Sequence, residues 1–418
     1  MFELVQPRLS RATRDWFSDT ELSGSADAYV QHLLDGGYAS ATIQMYLESV
    51  AHFARWLTKR RIHLAELNEV VVRRFLERHL PACRCARRCQ RGRHIIRAAL
   101  VRLLELLRAS GQITPKRSLD PAPIAEELCN FEHYLKNVCG LSPTTRLRRL
   151  KLLRAFLLDR FGSGCVRLST LNARDVAGYV AKCAADWAPS SKKQLASTLR
   201  SYFRFKALSG ERTESLSVAI PRIAQWRVAS LPKSVSGAEI AKLLNTFDRS
   251  SATGRRDYAI TRCFVDLGLR KAENARLRLE DVDWREGTLR IRGKGRRIDV
   301  LPLPQVTGIA IVDYLRNGRP ATTSRALFIR HRPPLATSVT ASIVRNAVRY
   351  AAKRCGLERC LNGPYPIRHS VAKRLLQSGA TLKQIADVLR HRCLDTTTIY
   401  TKIDFPALAR VALPWPGR

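Results

Sequence analysis

A chain of 418 residues is too long for one ordinary hydrophobic core and divides into about two or three domains. Its 45% apolar content is ordinary for a folded protein, but 73 Lys+Arg against 35 Asp+Glu leaves a net charge of +38, which points to a polyanionic partner. The opening residues lack the apolar run of a signal peptide and no later stretch reaches membrane-spanning length, so the expectation is a cytoplasmic protein with no membrane partner.

Most of the cations are arginine, whose planar guanidinium grips a phosphate with two hydrogen bonds, and this favours nucleic acid as the polyanion. Eleven cysteines, an odd number scattered over a long chain, do not read as a disulfide framework.

Residues 1–115 read as a helical module. From Thr42 to Lys59 the apolar positions Ile43, Tyr46, Leu47, Val50, Phe53, Trp56 and Leu57 recur at three and four, with Thr42 near the N-cap. A second helix carries Val71, Val72, Phe75 and Leu76, and a third runs from about His94 to Arg108. Between them lie Cys83, Cys85 and Cys89, followed by His94. These are ligand types that zinc prefers, although a C-x-C pair is tight for that use and a basic loop with incidental cysteines explains the same residues.

The punctuation of Pro115–Pro123 marks a boundary, and a second module, residues 120–215, repeats the pattern of the first. Val50 and Phe53 correspond to Leu153 and Phe156, Asn68 and Val72 to Asn172 and Val176, and Leu100 and Leu104 to Leu199 and Phe203. The small changes of offset between these groups are those that loop insertions produce, so the two modules read as an internal duplication.

A second linker, Pro221–Ser236, leads into the last domain, residues 231–418. Helices are expected around Ile240–Leu244 and from about Arg255 to Leu267, ending at Gly268. Two alternating segments, Gly287–Arg292 and Arg297–Leu303, form a β-hairpin about Gly293-Lys294-Gly295, and helices resume at about Val339. The fold class is therefore mainly α with a small β-hairpin or sheet in the C-terminal domain.

Three motifs in this domain stand out: Gly268-Leu269-Arg270-Lys271-Ala272-Glu273, Tyr365-Pro366-Ile367-Arg368-His369, and His391 followed nine residues later by Tyr400. Together they resemble the catalytic motifs of the tyrosine recombinase (phage integrase) family. The resemblance implies that family's catalytic fold, preceded by helical SAM-like DNA-binding modules that clamp duplex DNA. It also implies roles. Arg270 and Arg368 would hold the scissile phosphate, Lys294 at the hairpin tip would protonate the leaving 5′ oxygen, and His391 would bond phosphate oxygens or assist proton transfer. Tyr400 would be the nucleophile, forming a 3′-phosphotyrosyl link that conserves the energy of the broken bond, without ATP, metal or other cofactor. Glu273 would orient a neighbouring basic group, His369 would buttress Arg368, and Asp395 would cap a short helix from Thr396 that presents Tyr400 on an exposed face.

The resemblance further implies double-stranded DNA as substrate, a homotetramer on two DNA sites, accessory recombinase subunits as further candidate partners, and a task in the movement or integration of a mobile element. The segment after Tyr400 could dock on a neighbouring protomer or pack within its own chain. Two positions depart from the family pattern. Tyr365 stands where histidine is common, keeping a donor but no group that titrates near neutrality, and Arg390 stands where glycine commonly precedes the histidine, placing a charge beside the site, on DNA. A different class remains open: Gly379–Leu389 followed by Thr396–Tyr400 also reads as a helix-turn-helix, which would make the chain a DNA-binding regulator or an inactive relative. A nicking-closing topoisomerase would share the chemistry.

Overall fold

The computed structural model describes residues 11–18, 20–85, 91–114, 120–223, 234–293, 297–335, 337–391 and 393–403. Lys294, Cys89 and the segment Phe405–Leu413 lie outside the described residues. The chain folds as two compact units, one comprising residues 1–113 and 230–418, the other residues 114–229. Among the described residues it is mainly α-helical with one three-stranded sheet. Among the described residues no helix is long and apolar enough to cross a membrane.

The first module consists of α1 (Arg11–Ser18), α2 (Ala26–Asp35), α3 (Ser40–Lys59), α4 (Glu69–Arg74) and α5 (Arg93–Ala109) around one apolar cluster that includes Tyr29, Val50, Phe53, Phe75 and Leu100. Helix α3 starts two residues before the expected Thr42, with Ala39 as N-cap. Asn68 caps α4 by accepting from the backbone N–H groups of Val70 and Val71. Helix α4 continues into a π-helical turn, Phe75–His79.

The second module consists of α6 (Ala122–Asn137), α7 (Pro143–Phe161), α8 (Ala173–Ala184), α9 (Pro189–Leu208) and the short α10 (Glu214–Val218), around a cluster that includes Phe131, Leu153, Phe156, Leu199 and Phe203. The order found in the first module recurs here: a helix, a long helix, a 3-10 turn, an asparagine-capped helix and a further long helix. Asn172 makes a capping box with Asp175 at the start of α8.

In the C-terminal domain, α11 (Gly237–Leu244) and α12 (Ala252–Leu267) precede the one-turn α13 (Lys271–Asn274). Strands β1 (Val282–Asp283), β2 (Thr288–Arg292) and β3 (Ile298–Pro302) form an antiparallel sheet in that order, so the expected hairpin acquires a short third strand. The hairpin is closed where Gly293 N–H donates to the Arg297 carbonyl at 2.8 Å. Helices α14 (Gln305–Asn317), α15 (Ala341–Arg354), α16 (Tyr365–Gln377) and α17 (Leu382–Val388) follow, and the described chain ends in two 3-10 turns, Leu394–Thr396 and Thr398–Ile403. The main core packs α12 against α14, α15 and α16. A satellite cluster of Val371, Ala372, Ile385, Leu389 and Tyr400 ties the final turns to α16 and α17. The first module touches this domain where Leu335 N–H donates to the Gly36 carbonyl at 2.9 Å.

Candidate active site

Helix α12 ends on Gly268, which adopts φ +56°, a left-handed conformation that costs glycine little. A Cβ on Gly268 would sit 2.7 Å from Cδ2 of Leu389, so any other residue here would force the Leu389 side chain to shift. Two residues on, Arg270 is the N-cap of α13. Glu273, in the first turn, accepts from Arg270 N–H at 2.8 Å and from Arg270 Nη1 at 2.6 Å. The three-residue spacing read from the sequence therefore lets one carboxylate both cap the start of α13 and pair with the Arg270 guanidinium.

Arg368 projects from the first turn of α16 and is 4% exposed. Its Nη1 and Nη2 donate to the carbonyls of Gly268 and Leu389, which lie at the ends of α12 and α17. Burial, with the charges of Arg270 and Arg390, pushes the guanidinium down to about 9, which leaves it cationic at neutral pH. A cleft of about 570 Å³ opens beside Arg270 and Arg368, with Arg345, Arg359 and Tyr365 also on its walls.

Arg390 is not an outward charge on a DNA face. It is 7% exposed with φ +55°, and it turns inward. Its Nη2 pairs with Glu273 at 3.0 Å and its Nη1 donates to the Val388 carbonyl at 2.8 Å, while its own carbonyl accepts from Arg270 Nη2 at 2.9 Å. The left-handed backbone at the end of α17 explains why glycine suits this position. The buried Glu273 explains how arginine holds it. Burial alone would raise the Glu273 carboxyl, but the Arg390 charge and the Arg270 hydrogen bonds outweigh it and hold the group below the usual carboxylate range.

Tyr400 is also not on an exposed face. No helix begins at Thr396; the two 3-10 turns fold back onto α16 and α17 and leave Tyr400 2% exposed. Its hydroxyl lies 3.0 Å from His369 Nδ1, so His369 faces the tyrosine rather than buttressing Arg368. Burial pushes the phenol up to about 12, against an opposing pull from Arg368. Burial and the Arg368 charge push His369 down to about 4, which favours the neutral ring, and its tautomer sets which member of the His369–Tyr400 pair donates.

His391 Nδ1 meets Thr397 Oγ1 at 2.7 Å, and its ring lies nearly parallel to that of Tyr400 at 6.3 Å between centroids. It does not keep an ordinary histidine pKa: burial, then Arg368, Arg270 and Arg390, push it down to about 4. Tyr365 is 67% exposed, with its ring edge-on to His369 at 4.4 Å, so it walls the site from outside.

The fold thus brings Arg270, Arg368, His391 and Tyr400 together from four separated stretches, with Tyr365 at the rim. Sequence reasoning missed His369 as the neighbour of the phenol, and Arg345 and Arg359 on the cleft. The signal for His369 was its place beside Arg368, because adjacent residues at the start of a helix face different neighbours. Nothing in the local pattern distinguished Arg345 or Arg359 from the other arginines. The helix-turn-helix reading loses its recognition element, since Thr396–Tyr400 is 3-10 and packs into its own domain.

Residues 233–406 match the phage integrase family, and residues 128–210 match the phage integrase N-terminal SAM-like domain. The chain is 34% identical over 391 residues to the putative integrase/recombinase y4rA of Sinorhizobium fredii, covering 93% of each chain. It is 28% identical over 242 residues to the tyrosine recombinase XerD of Listeria innocua, covering 56% of this chain and 79% of that one. In fold it resembles the XerH site-specific recombinase bound to a palindromic difH substrate, with a TM-score of 0.55 at 19% identity over 70% of this chain and 97% of that one. It also resembles a lambda integrase dimer bound to a core site, with a TM-score of 0.53 at 15% identity over 70% and 99%. The 34% identity to y4rA over nearly the whole of both chains, with the domain matches on both sides of residue 220, establishes that this chain belongs to the tyrosine recombinase (phage integrase) family and is a site-specific recombinase.

Proposed function

We propose that the protein breaks and rejoins double-stranded DNA through a covalent 3′-phosphotyrosyl intermediate on Tyr400. The observation that carries this reading is the buried contact between the Tyr400 hydroxyl and His369, set beside two arginines that approach from elements far apart in the chain. Arg270 and Arg368 bind the non-bridging oxygens of the scissile phosphate and offset the charge that develops on them. The Tyr400 oxygen attacks phosphorus as its proton passes toward neutral His369, the P–O5′ bond breaks, and the 5′ oxygen takes a proton from Lys294. A 5′ hydroxyl of the partner strand then attacks phosphorus and gives its proton back to Lys294, the bond from phosphorus to the Tyr400 oxygen breaks, and Tyr400 regains its proton from His369. One phosphoester replaces another at each step, so neither ATP nor a divalent cation takes part.

His391, held neutral and bonded to Thr397, donates from its free ring nitrogen to a phosphate oxygen. Tyr365 lines the approach to the cleft. Glu273 does not touch substrate; it fixes Arg270 and Arg390. The protein assembles as four protomers on two DNA sites and serves the movement or integration of a mobile element in the cytoplasm, with accessory recombinase subunits as additional partners. Two tandem helical modules support assembly on defined sites over relaxation of unspecified duplex.

The test is a suicide-substrate assay in EDTA, using nicked duplexes with candidate sites from the DNA flanking the gene. Wild type is expected to yield a covalent protein–DNA band and Tyr400→Phe none. A band that survives Tyr400→Phe would remove Tyr400 as nucleophile.

A further inference from the structure

The first module, far in sequence from the catalytic motifs, gathers four ligand-type side chains. His52 stands in the middle of α3 and is 1% exposed, His79 ends the π-helical turn, and Cys83 and Cys85 follow in the next loop. One ligating atom from each lies within 4.8 Å of all the others. His52 Nε2 is 3.1 Å from His79 Nε2 and 3.4 Å from Cys83 Sγ. A tetrahedral zinc site with bonds of about 2.0–2.1 Å to nitrogen and about 2.3 Å to sulfur has N···N edges of about 3.3 Å and N···S edges of about 3.6 Å. These two separations match the corresponding edges to within a few tenths of an ångström, and the remaining ones are no longer than 4.8 Å.

Hydrogen bonding alone accounts for this cluster less well. A ring nitrogen carries either one proton or one lone pair in the ring plane, so His52 Nε2 cannot align with both His79 Nε2 and Cys83 Sγ. A cation between them satisfies both contacts at once. The π-helical turn is a further sign. It is closed by Leu80 N–H donating to the Phe75 carbonyl at 2.9 Å, and such turns are rare and concentrate at functional sites. The walls are aromatic, with Phe75 edge-on to His52 at 5.1 Å and Trp56 6.0 Å from His79.

The second module supplies an internal control. At the positions matching His52 and His79 it has Ala155 and Cys183, and only Ala185–Ala188 separates α8 from α9. In the first module the corresponding connection, Leu80–Gly92, is long and includes Arg84, Arg87, Arg88 and Arg91. The four ligands occur in the copy that has a long, self-repelling loop to hold. We propose that His52, His79, Cys83 and Cys85 bind a structural zinc ion that fixes this arginine-rich loop to α3. A divalent cation held by the four side chains supplies the charge that makes both thiols thiolates.

The test uses untagged full-length protein without DNA, so its result is independent of cleavage. Elemental analysis after dialysis in chelator-free buffer is expected to give about one zinc per chain. His79→Gln and Cys83→Ser/Cys85→Ser are each expected to fall below about 0.1 per chain, with Cys89→Ser and Cys129→Ser unchanged. Exchange of the wild-type metal for cobalt is expected to give the visible bands of a tetrahedral thiolate site, and this readout stands even where a variant fails to fold. Wild type that binds neither metal, an octahedral cobalt spectrum, or zinc retained in Cys83→Ser/Cys85→Ser would overturn the proposal. Loss of zinc in Cys89→Ser would overturn the assigned ligand set.

Discussion

At Arg390 two opposing effects meet in one residue. Its left-handed backbone costs a side-chain-bearing residue about 1–2 kcal/mol relative to glycine. Its guanidinium pairs with buried Glu273, and removing one partner of a buried pair costs about 3–5 kcal/mol, an amount reduced here because Arg270 remains on the same carboxylate. The pair wins this comparison. Arg390→Gly is therefore expected to destabilise the protein by about 1–2 kcal/mol, and Arg390→Ala by about 1 kcal/mol more because it keeps the Cβ, both read from urea unfolding. A more stable Arg390→Gly would show that the pair contributes nothing.

The Tyr400 phenol gives a second prediction at this scale. His369→Phe preserves an aromatic ring but removes the acceptor, so single-turnover cleavage is expected to slow by about 10-fold or more with DNA affinity unchanged. An unchanged rate would reduce His369 to packing. His369 and His391 are both pushed down to about 4, by burial and then by Arg368. Between an unfolded value of about 6.5 and the folded value the unfolded chain binds more protons, so stability falls as pH drops through that window. The melting temperature is expected to decline from about pH 6.5 toward about pH 4, less steeply in His369→Gln/His391→Gln.

Among the elements, the junction of α12 and α17 positions the arginines. The Gly268 carbonyl receives Arg368, and a methyl group on the Gly268 Cα would displace the Leu389 side chain. Gly268→Ala adds both left-handed strain and a clash with Leu389, for an expected loss of about 2–4 kcal/mol. Because the shift would move the acceptor of Arg368, covalent-complex formation is expected to fall even at temperatures where the variant stays folded. Wild-type cleavage by folded Gly268→Ala would separate this junction from the chemistry. The final 3-10 turns illustrate how an element escapes a sequence reading. Thr396, Thr397 and Thr398 favour no strong helix, and the direction in which Tyr400 faces is set by Val371, Ala372, Ile385 and Leu389, which come from two other helices.

For the whole molecule, the +38 charge gives a prediction that does not depend on which site is recognised. Each phosphate contact releases counterion, so affinity for a cognate duplex is expected to fall by about 1,000-fold or more between about 50 and 200 mM salt. A shallow dependence in filter binding or fluorescence anisotropy would mean that few of the arginines meet the backbone. The two helical modules share element order and asparagine caps, Asn68 and Asn172, and we propose that they are a duplication. We infer that the first copy contacts an outer DNA segment or a neighbouring protomer. Removing residues 1–115 is then expected to shorten the footprint or weaken assembly, and an unchanged footprint with unchanged assembly would sink the idea.

The sequence by itself determined the family, the α-rich class with its small sheet, and the identity of Arg270, Arg368, His391 and Tyr400 as the residues to examine. It could do so because residue type and spacing are local, and a guanidinium or phenol keeps its chemistry wherever the fold places it. Only the tertiary structure decided that Tyr400 is buried against His369, that Arg390 turns inward to Glu273, and that His52 and His79 join Cys83 and Cys85 while His94 stands exposed at the start of α5. Each of these depends on a contact between segments distant in sequence. The direction of a side chain is set by the packing of elements that local pattern does not describe.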